Sequence, residues 1–326
     1  MRKIALEEHF TTPELAKYVA RPTQSDAIFA DVERRLVDFD ELRLEMMDRT
    51  GIELMVLSVT TPGVQGVRDT QEAIRLARGA NDFLASEVQK RPDRYAGFAH
   101  LALQNAEAAA AELERAVSEL GFRGALINGQ TNGHYLDEDR YLPFWERVEE
   151  LDVPIYLHPG AMADQPAMFA HRPEIGGPIW AWTAETAAHA LRLVFGGTLT
   201  RFPKVKIILG HMGETLPFLL WRLDSRREFD LGETLAPDAL PSAIIKRNIA
   251  VTTSGVCDPG ALIATLQALG DDNVMFSVDY PYEDPQVASD FIEFAPISED
   301  VRAKVCHGNA ERLLRLSIGA GKIRST

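Results

Sequence analysis

The chain has 326 residues, 46% hydrophobic and 25% charged, a mix that excludes extended disorder and fits an ordinary globular protein. A formal net charge of −14 argues against nucleic acid as a partner, and it means that any anionic substrate needs a metal or a few placed cations to hold it. No stretch approaches the roughly 18 to 20 apolar residues of a membrane helix, and the start MRKIALEEHF has neither a signal-peptide core nor an anchor, so a cytoplasmic protein without a membrane partner is expected. Cys257 and Cys306 lie far apart and outside any CxxC or Cys/His cluster, which predicts buried free thiols and no disulfide framework.

Taken in chain order, short apolar or β-branched runs fall at 3–6, 54–59, 95–101, 124–127, 154–157, 206–209, 249–253 and 274–277. Between them lie helical patterns such as 70–90, 106–120, 143–151, 183–196 and 259–269, Ala-rich with Glu, Lys and Arg on the alternate face. No linker or low-complexity tract interrupts the alternation, so 1–326 is expected to form one catalytic domain. Eight strands alternating with helices, several of them continuously apolar, predict parallel strands buried on both faces. A closed barrel and an open doubly wound sheet both satisfy that pattern; the count and the length favour a (β/α)8 TIM barrel.

In such a barrel chemistry sits at the C-terminal ends of the strands, and here five ends are polar: Glu7-Glu8-His9, Asn128, His158, His211 and Asp279. Glu7 and His9 are two apart, so on a strand both face the barrel mouth while Glu8 points away. His158 and Asp279 each close an apolar run and are followed closely by a proline. A lone strand-end Asp is commonly a turn former, and a lone His a satisfied core group. Four such groups at matching strand ends instead point to one divalent metal site, and the ligand types admit Mn2+ or Zn2+. Glu214, three residues after His211, is placed either to cap the following helix or to orient the imidazole. By spacing alone Arg222 is an ordinary surface cation. His100 is expected to be a packing group at the end of the third strand, and His189 a structural one inside a helix. No G-x-S-x-G elbow, nucleophilic cysteine context or phosphate-binding glycine loop is present.

The motifs IALEEHF, GALING, DVPIYLHP, ETAAHALRL, IILGHMGETLPFLLWRLD, VTTSG and MFSVDYPYE, spread over the whole chain, resemble one group. It is the branch of the amidohydrolase superfamily that holds metal-dependent, non-oxidative aromatic acid decarboxylases, such as the γ-resorcylate, 2,3-dihydroxybenzoate and 5-carboxyvanillate enzymes. The E-E-H-F start is the specific part, because most hydrolytic members of the superfamily open with H-x-H. The resemblance implies that Glu7, His9, His158 and Asp279 hold one divalent metal, with Mn2+ favoured over Zn2+. It implies further that His211 and Glu214 form the pair beside the metal and that Asn128 belongs to the pocket. Arg222 would contact substrate, in a homodimer or homotetramer across a subunit boundary. The chain departs from the γ-resorcylate enzymes at His158-Pro159-Gly160, where they carry H-P-R; this touches the identity of the acid more than the reaction type.

These residues suit loss of CO2 from a small ortho-hydroxylated aromatic carboxylate. Direct loss would leave an unstabilised aryl carbanion, whereas protonation of the ring carbon bearing the carboxylate makes a β-keto acid analogue that expels CO2 readily. Such a route needs a Lewis acid, a proton donor (Asp279) and an anion clamp (Arg222 with a His211 imidazolium held by Glu214). The alternative is a hydrolase of a lactone, ester or amide in which the same site activates water, and a third reading is a catalytically silent metal-binding barrel.

Overall fold

The computed structural model describes residues 1–19, 21, 25–164 and 166–316. Its strands are β1 (Lys3–Phe10), β2 (Ile52–Val59), β3 (Tyr95–Gly97), β4 (Ala125–Asn128), β5 (Ile155–His158), β6 (Ile207–Leu209), β7 (Ile249–Thr252) and β8 (Val274–Met275). All ladders are parallel and run in chain order, as a three-stranded sheet β1-β2-β3 and a five-stranded sheet β4-β5-β6-β7-β8. Two single bridges join the sheets into a cycle, Ala99 with Ala125 and Glu8 with Tyr280. At the second seam the His9 N–H donates to Tyr280 O (2.7 Å) and the Asp279 N–H to Glu7 O (3.1 Å). The predicted (β/α)8 architecture is therefore present, with its ring closed by bridges at two seams.

Alternation of side chains sorts the strands into two apolar layers. Ile4, Leu6, Leu54, Val56, Phe98, Leu126, Tyr156, Ile208, Ala250 and Met275 pack together inside the ring. Ala5, Met55, Leu57, Ile127, Leu157, Leu209 and Val251 face outward into the layer shared with the helices. Those helices start where local chemistry satisfies their free N–H groups. Asp69 caps Thr70–Lys90, Asn105 caps Ala106–Ser118 and Asp258 caps Pro259–Leu269, each accepting a backbone N–H in the first turn. Among the described residues no helix is long and apolar enough to cross a membrane.

Two expectations change, the end of the third strand and the burial of Cys257, while His100 and His189 hold as packing groups. The third run ends as a strand at Gly97, and His100 lies beyond it, accepting the Val64 N–H at Nε2 (2.8 Å). His189 likewise accepts the Leu136 N–H (3.0 Å), and burial pushes both imidazoles down to about 3, so they stay neutral packing groups. Cys306 is buried as expected, but Cys257 is exposed, because it follows the turn at Gly255 on the way to the helix Pro259–Leu269.

Candidate metal centre

One extra residue in β1 sets the site. Between Ala5 and Glu8 the strand advances three positions while β2 advances two, from Met55 to Leu57. Ile4 and Leu6 face the interior, so unbroken alternation would send Glu8 inward next. The bulge reverses that parity, and Glu7 and His9 turn into the ring. His158 ends β5 in the inward register that Tyr156 begins. Asp279 follows β8 with φ +80°, a left-handed conformation that costs a non-glycine residue about 1–2 kcal/mol.

These four side chains converge, each offering a ligand atom within 4.8 Å of the others. His9 Nε2 lies 3.2 Å from Asp279 Oδ1, and His158 Nε2 lies 3.3 Å from Glu7 Oε1. Ligand bonds of about 2.1 Å would put neighbouring donors roughly 3.0 to 3.4 Å apart, so the spacing suits one cation. Glu7 Oε1, His9 Nε2 and Asp279 Oδ1 are all buried without a hydrogen-bond partner, a state that buried polar atoms rarely keep. Two carboxylate oxygens and two imidazole nitrogens fit a single divalent cation of the Mn2+ or Zn2+ kind. The ring edges are prepared for it as well. His158 Nδ1 donates to Pro159 O (2.9 Å), which leaves Nε2 as a lone-pair donor, and His9 Nδ1 meets Ser58 Oγ at 3.3 Å.

Around Glu7 the interior supplies donors: the hydroxyls of Tyr156 and Ser254 bond Oε2, and Thr252 Oγ1 lies 3.4 Å away. Gly210 passes so close that a Cβ there would stand 2.6 Å from the same oxygen, so only glycine leaves room for the carboxylate. These three hydroxyl residues went unremarked in the sequence reading. A signal was present, since Tyr156 stands two before His158, and Thr252 and Ser254 are two apart, each pair sharing one face.

His211 follows β6 in an unusual turn. Residues His211, Met212, Gly213, Glu214 and Thr215 take φ values of +50°, +56°, +80°, +52° and +67°, a single left-handed turn ahead of the helix Leu220–Leu231. Glu214 therefore does not sit at the start of a right-handed helix, and its carboxylate turns back to accept from His211 Nδ1 (2.7 Å). Of the two roles open in the sequence, the structure has the orienting one. His211 Nε2 then points at the centre, 3.7 Å from Glu7 Oε1 and 3.6 Å from Asp279 Oδ2. Burial would depress this imidazole, but Glu214 and Glu7 outweigh it and hold its pKa well above the usual value, as an imidazolium. Burial likewise raises Asp279, yet the neighbouring His211 and His9 imidazoles pull it below the usual carboxylate range. Burial raises Glu7 and drives His158 well down.

His158, Asp279 and His211 line a cavity of about 230 Å³, with Glu7 and His9 buried behind them, and Ile28, Val32, Pro159, Pro178, Trp182 and Tyr282 predominate in its walls. Glu283 stands among the lining residues, and among the described residues no arginine or lysine does. Asn128 is not in the lining; it is buried beside it, donating from Nδ2 to Val59 O (3.4 Å) and pairing backbone to backbone with His158. Arg222 is on the outer surface of its helix, in a groove with Phe195, Leu219 and Arg226, away from the cavity of its own chain.

Residues 9–316 match the sequence model of the family described as Amidohydrolase. The chain belongs to the amidohydrolase family. It is 42% identical to the γ-resorcylate decarboxylase of Rhizobium sp. (strain MTP-10005), over 96% of this chain and 98% of that enzyme. The crystal structure of a 2,6-dihydroxybenzoate decarboxylase complexed with 2,6-dihydroxybenzoate superposes with a TM-score of 0.90 at 41% identity, covering 97% of this chain and all of that one. A dihydroxybenzoic acid decarboxylase from Polaromonas sp. JS666, with bound manganese and the inhibitor 2-nitroresorcinol, gives a TM-score of 0.87 at 41% identity over 97% of both chains. The similar enzymes are thus carboxy-lyases of this superfamily.

Proposed function

We propose that this amidohydrolase is a metal-dependent, non-oxidative decarboxylase that converts an ortho-hydroxybenzoate, of the γ-resorcylate or 2,6-dihydroxybenzoate type, to a phenol and CO2. The observation that carries the reading is the set of buried, unpartnered donors of Glu7, His9 and Asp279, completed by His158, which meets an apolar cavity sized for one aromatic ring at Asp279 and His158. The relatives' reaction and ligands support it. In this reading 1–326 acts as one catalytic domain.

Glu7, His9, His158 and Asp279 would hold a divalent cation, which would supply Lewis acidity to the acid bound beside it. Asp279, ionised at rest, accepts the phenolic proton and delivers it to the ring carbon that bears the carboxylate. The bond to the carboxylate then breaks, its electron pair restores the aromatic ring, CO2 departs, and the phenolate left behind takes a proton from water. His211, kept cationic by Glu214, faces the negative charge on the substrate oxygens. The walls formed by Ile28, Val32, Trp182 and Tyr282 exclude water from the ring. Asn128 acts one layer back by holding the β4–β5 end that presents His158.

Arg222 completes this reading as the anion clamp of a neighbouring subunit. Among the described residues the cavity has no arginine or lysine, while Arg222 is exposed beside Phe218 and Trp221, which are 61% and 79% exposed. The active species is accordingly a homodimer or homotetramer.

An ultraviolet screen of the manganese-loaded and zinc-loaded chain against a panel of ortho-hydroxybenzoates, with esters and lactones in parallel, tests the reaction. Disappearance of at least one acid with release of CO2 is expected. Turnover of an ester or lactone with all of the acids untouched would replace the proposal with hydrolysis.

A further inference from the structure

Two of the four donors, Glu7 and Asp279, sit on opposite sides of the seam where β8 meets β1. That seam has one bridge in place of a ladder. We propose that Glu8 and Ser277 form a reciprocal clamp across it, in which each side chain fixes the backbone that carries the other strand's metal-binding carboxylate.

Glu8 is fully buried and reaches over to the loop after β8. Its Oε1 accepts the Val278 N–H (2.9 Å) and its Oε2 accepts the Tyr280 N–H (3.2 Å). Those two amides flank Asp279, so one carboxylate grips the chain on either side of a residue held at φ +80°. The answering contact comes from Ser277, in the same segment after β8. Ser277 Oγ accepts both the Leu6 N–H and the Glu7 N–H, each at 2.7 Å. Leu6 and Glu7 lie within the bulge, where the ladder to β2 is interrupted and their amides have no strand partner. Ser277 thereby pins the extra residue that turns Glu7 inward. Arg43, also fully buried, backs the clamp by donating to His9 O (2.7 Å) with its guanidinium 4.7 Å over the Tyr280 ring.

None of these three side chains offers an atom to the cation, so they are positioning residues. The spacing of Glu7 Oε1 and Asp279 Oδ1 depends on a seam with few backbone bonds, and the clamp supplies the constraint that a regular ladder supplies within each of the two sheets. Two consequences distinguish it from general core support: losing either half should weaken metal binding, and losing an equally buried polar side chain remote from the seam should not.

The clamp rests on the metal centre proposed above, and its test reads metal binding without substrate. Manganese affinity is measured by titration, following free Mn2+ by electron paramagnetic resonance, for the unaltered chain, Glu8→Gln, Ser277→Ala and a control, Asn248→Ala. Asn248 is equally buried and holds Pro203 O and Val205 O, at 3.0 Å and 2.7 Å, beneath the ring. Glu8→Gln keeps the shape but turns an amide N–H toward a backbone N–H, and Ser277→Ala removes one hydroxyl. Each is expected to weaken manganese binding by about 10- to 100-fold, the range seen for groups that orient metal ligands. Asn248→Ala should lower Tm and leave the affinity alone. Seam variants that hold manganese as tightly as the unaltered chain would overturn the clamp, as would equal weakening in Asn248→Ala. Should Glu8→Gln fail to fold, Ser277→Ala decides by the same comparison. An unaltered chain with no affinity for manganese or zinc would refute the metal centre and the clamp together. A chain that binds metal but decarboxylates nothing would refute the proposed reaction and leave the clamp standing.

Discussion

At Asp279 the carboxylate and the backbone answer to different neighbours. His211 and His9 hold the side chain ionised against the pull of burial, while the left-handed backbone aims it at His9 and Glu7. An ionised residue becomes a proton donor only after taking a proton, so the substrate's own phenol is the source that fits. Asp279→Asn keeps an oxygen donor but cannot carry that proton. Its kcat should fall by about 10² to 10⁴, the usual worth of a general acid–base group, while some manganese is retained. Steady-state rates alongside metal analysis check this, and a metal-loaded Asp279→Asn enzyme with near-normal kcat would remove Asp279 from the proton path. His211 is a different case, because its cation faces charge without transferring a proton. His211→Asn should lose about 10² to 10³ in kcat, as when one preorganised donor to a developing anion is removed. A loss confined to KM would mean that it only binds substrate.

At the level of elements, the parts legible in the sequence were those whose pattern repeats. Parallel strands buried on both faces are apolar throughout, so all eight showed, and Glu7 and His9 fell on one side as an i, i+2 pair. The reason they face inward was not legible, because it is a bulge, and a bulge depends on the partner strand's register. The turn from His211 to Thr215 was hidden for a related reason. HMGET contains one glycine, and nothing local announces four non-glycine residues with positive φ; tertiary contacts hold that strain, among them the His211 N–H on Ser254 Oγ (3.1 Å). Glu185, on the helix Ala181–Phe195, was passed over inside an Ala-rich pattern although it is buried behind this turn. Burial pushes its carboxyl from 4.5 up to about 7, with the Tyr135 hydroxyl opposing and Glu214 adding to the rise. A carboxyl raised on folding favours the protonated native state. Its contribution is whole below about pH 4.5 and is lost as pH climbs through about 7. Glu185→Gln mimics the protonated form at every pH. It should match the unaltered chain near pH 4.5 and become more stable by something on the order of 2–3 kcal/mol at pH 8, measured by denaturant unfolding. A gap between the two chains that does not change with pH would show that Glu185 does not titrate there.

At the scale of the whole molecule, charge and shape leave one requirement unmet within a single chain. A protein with net charge −14 is proposed to bind an organic anion in a cavity whose described walls contain no arginine or lysine. His211 and a bound cation supply part of the attraction. The nearest candidate for the rest faces outward. In the apolar stretch before Arg222, Leu216, Pro217 and Leu220 pack inward while Phe218, Leu219 and Trp221 are exposed, so core packing accounts for only half of it. Phe229, 75% exposed on the same helix, adds to an apolar surface of the kind that subunits cover. An arginine at the edge of such a surface can reach a neighbour's cavity once two copies meet. Arg222→Met tests this, because the residue is exposed and has no fold-level work to lose. If it clamps the substrate carboxylate from the next subunit, KM should rise at least about 10-fold with the thermal midpoint unchanged, since a charge-assisted hydrogen bond contributes roughly 1.5–3 kcal/mol. Specific activity of the unaltered chain should also fall on dilution, in step with the loss of dimer or tetramer seen by sedimentation. An unchanged KM together with a fully active monomer would reduce Arg222 to an ordinary surface cation, and the anion would then be held by the metal centre and His211 alone.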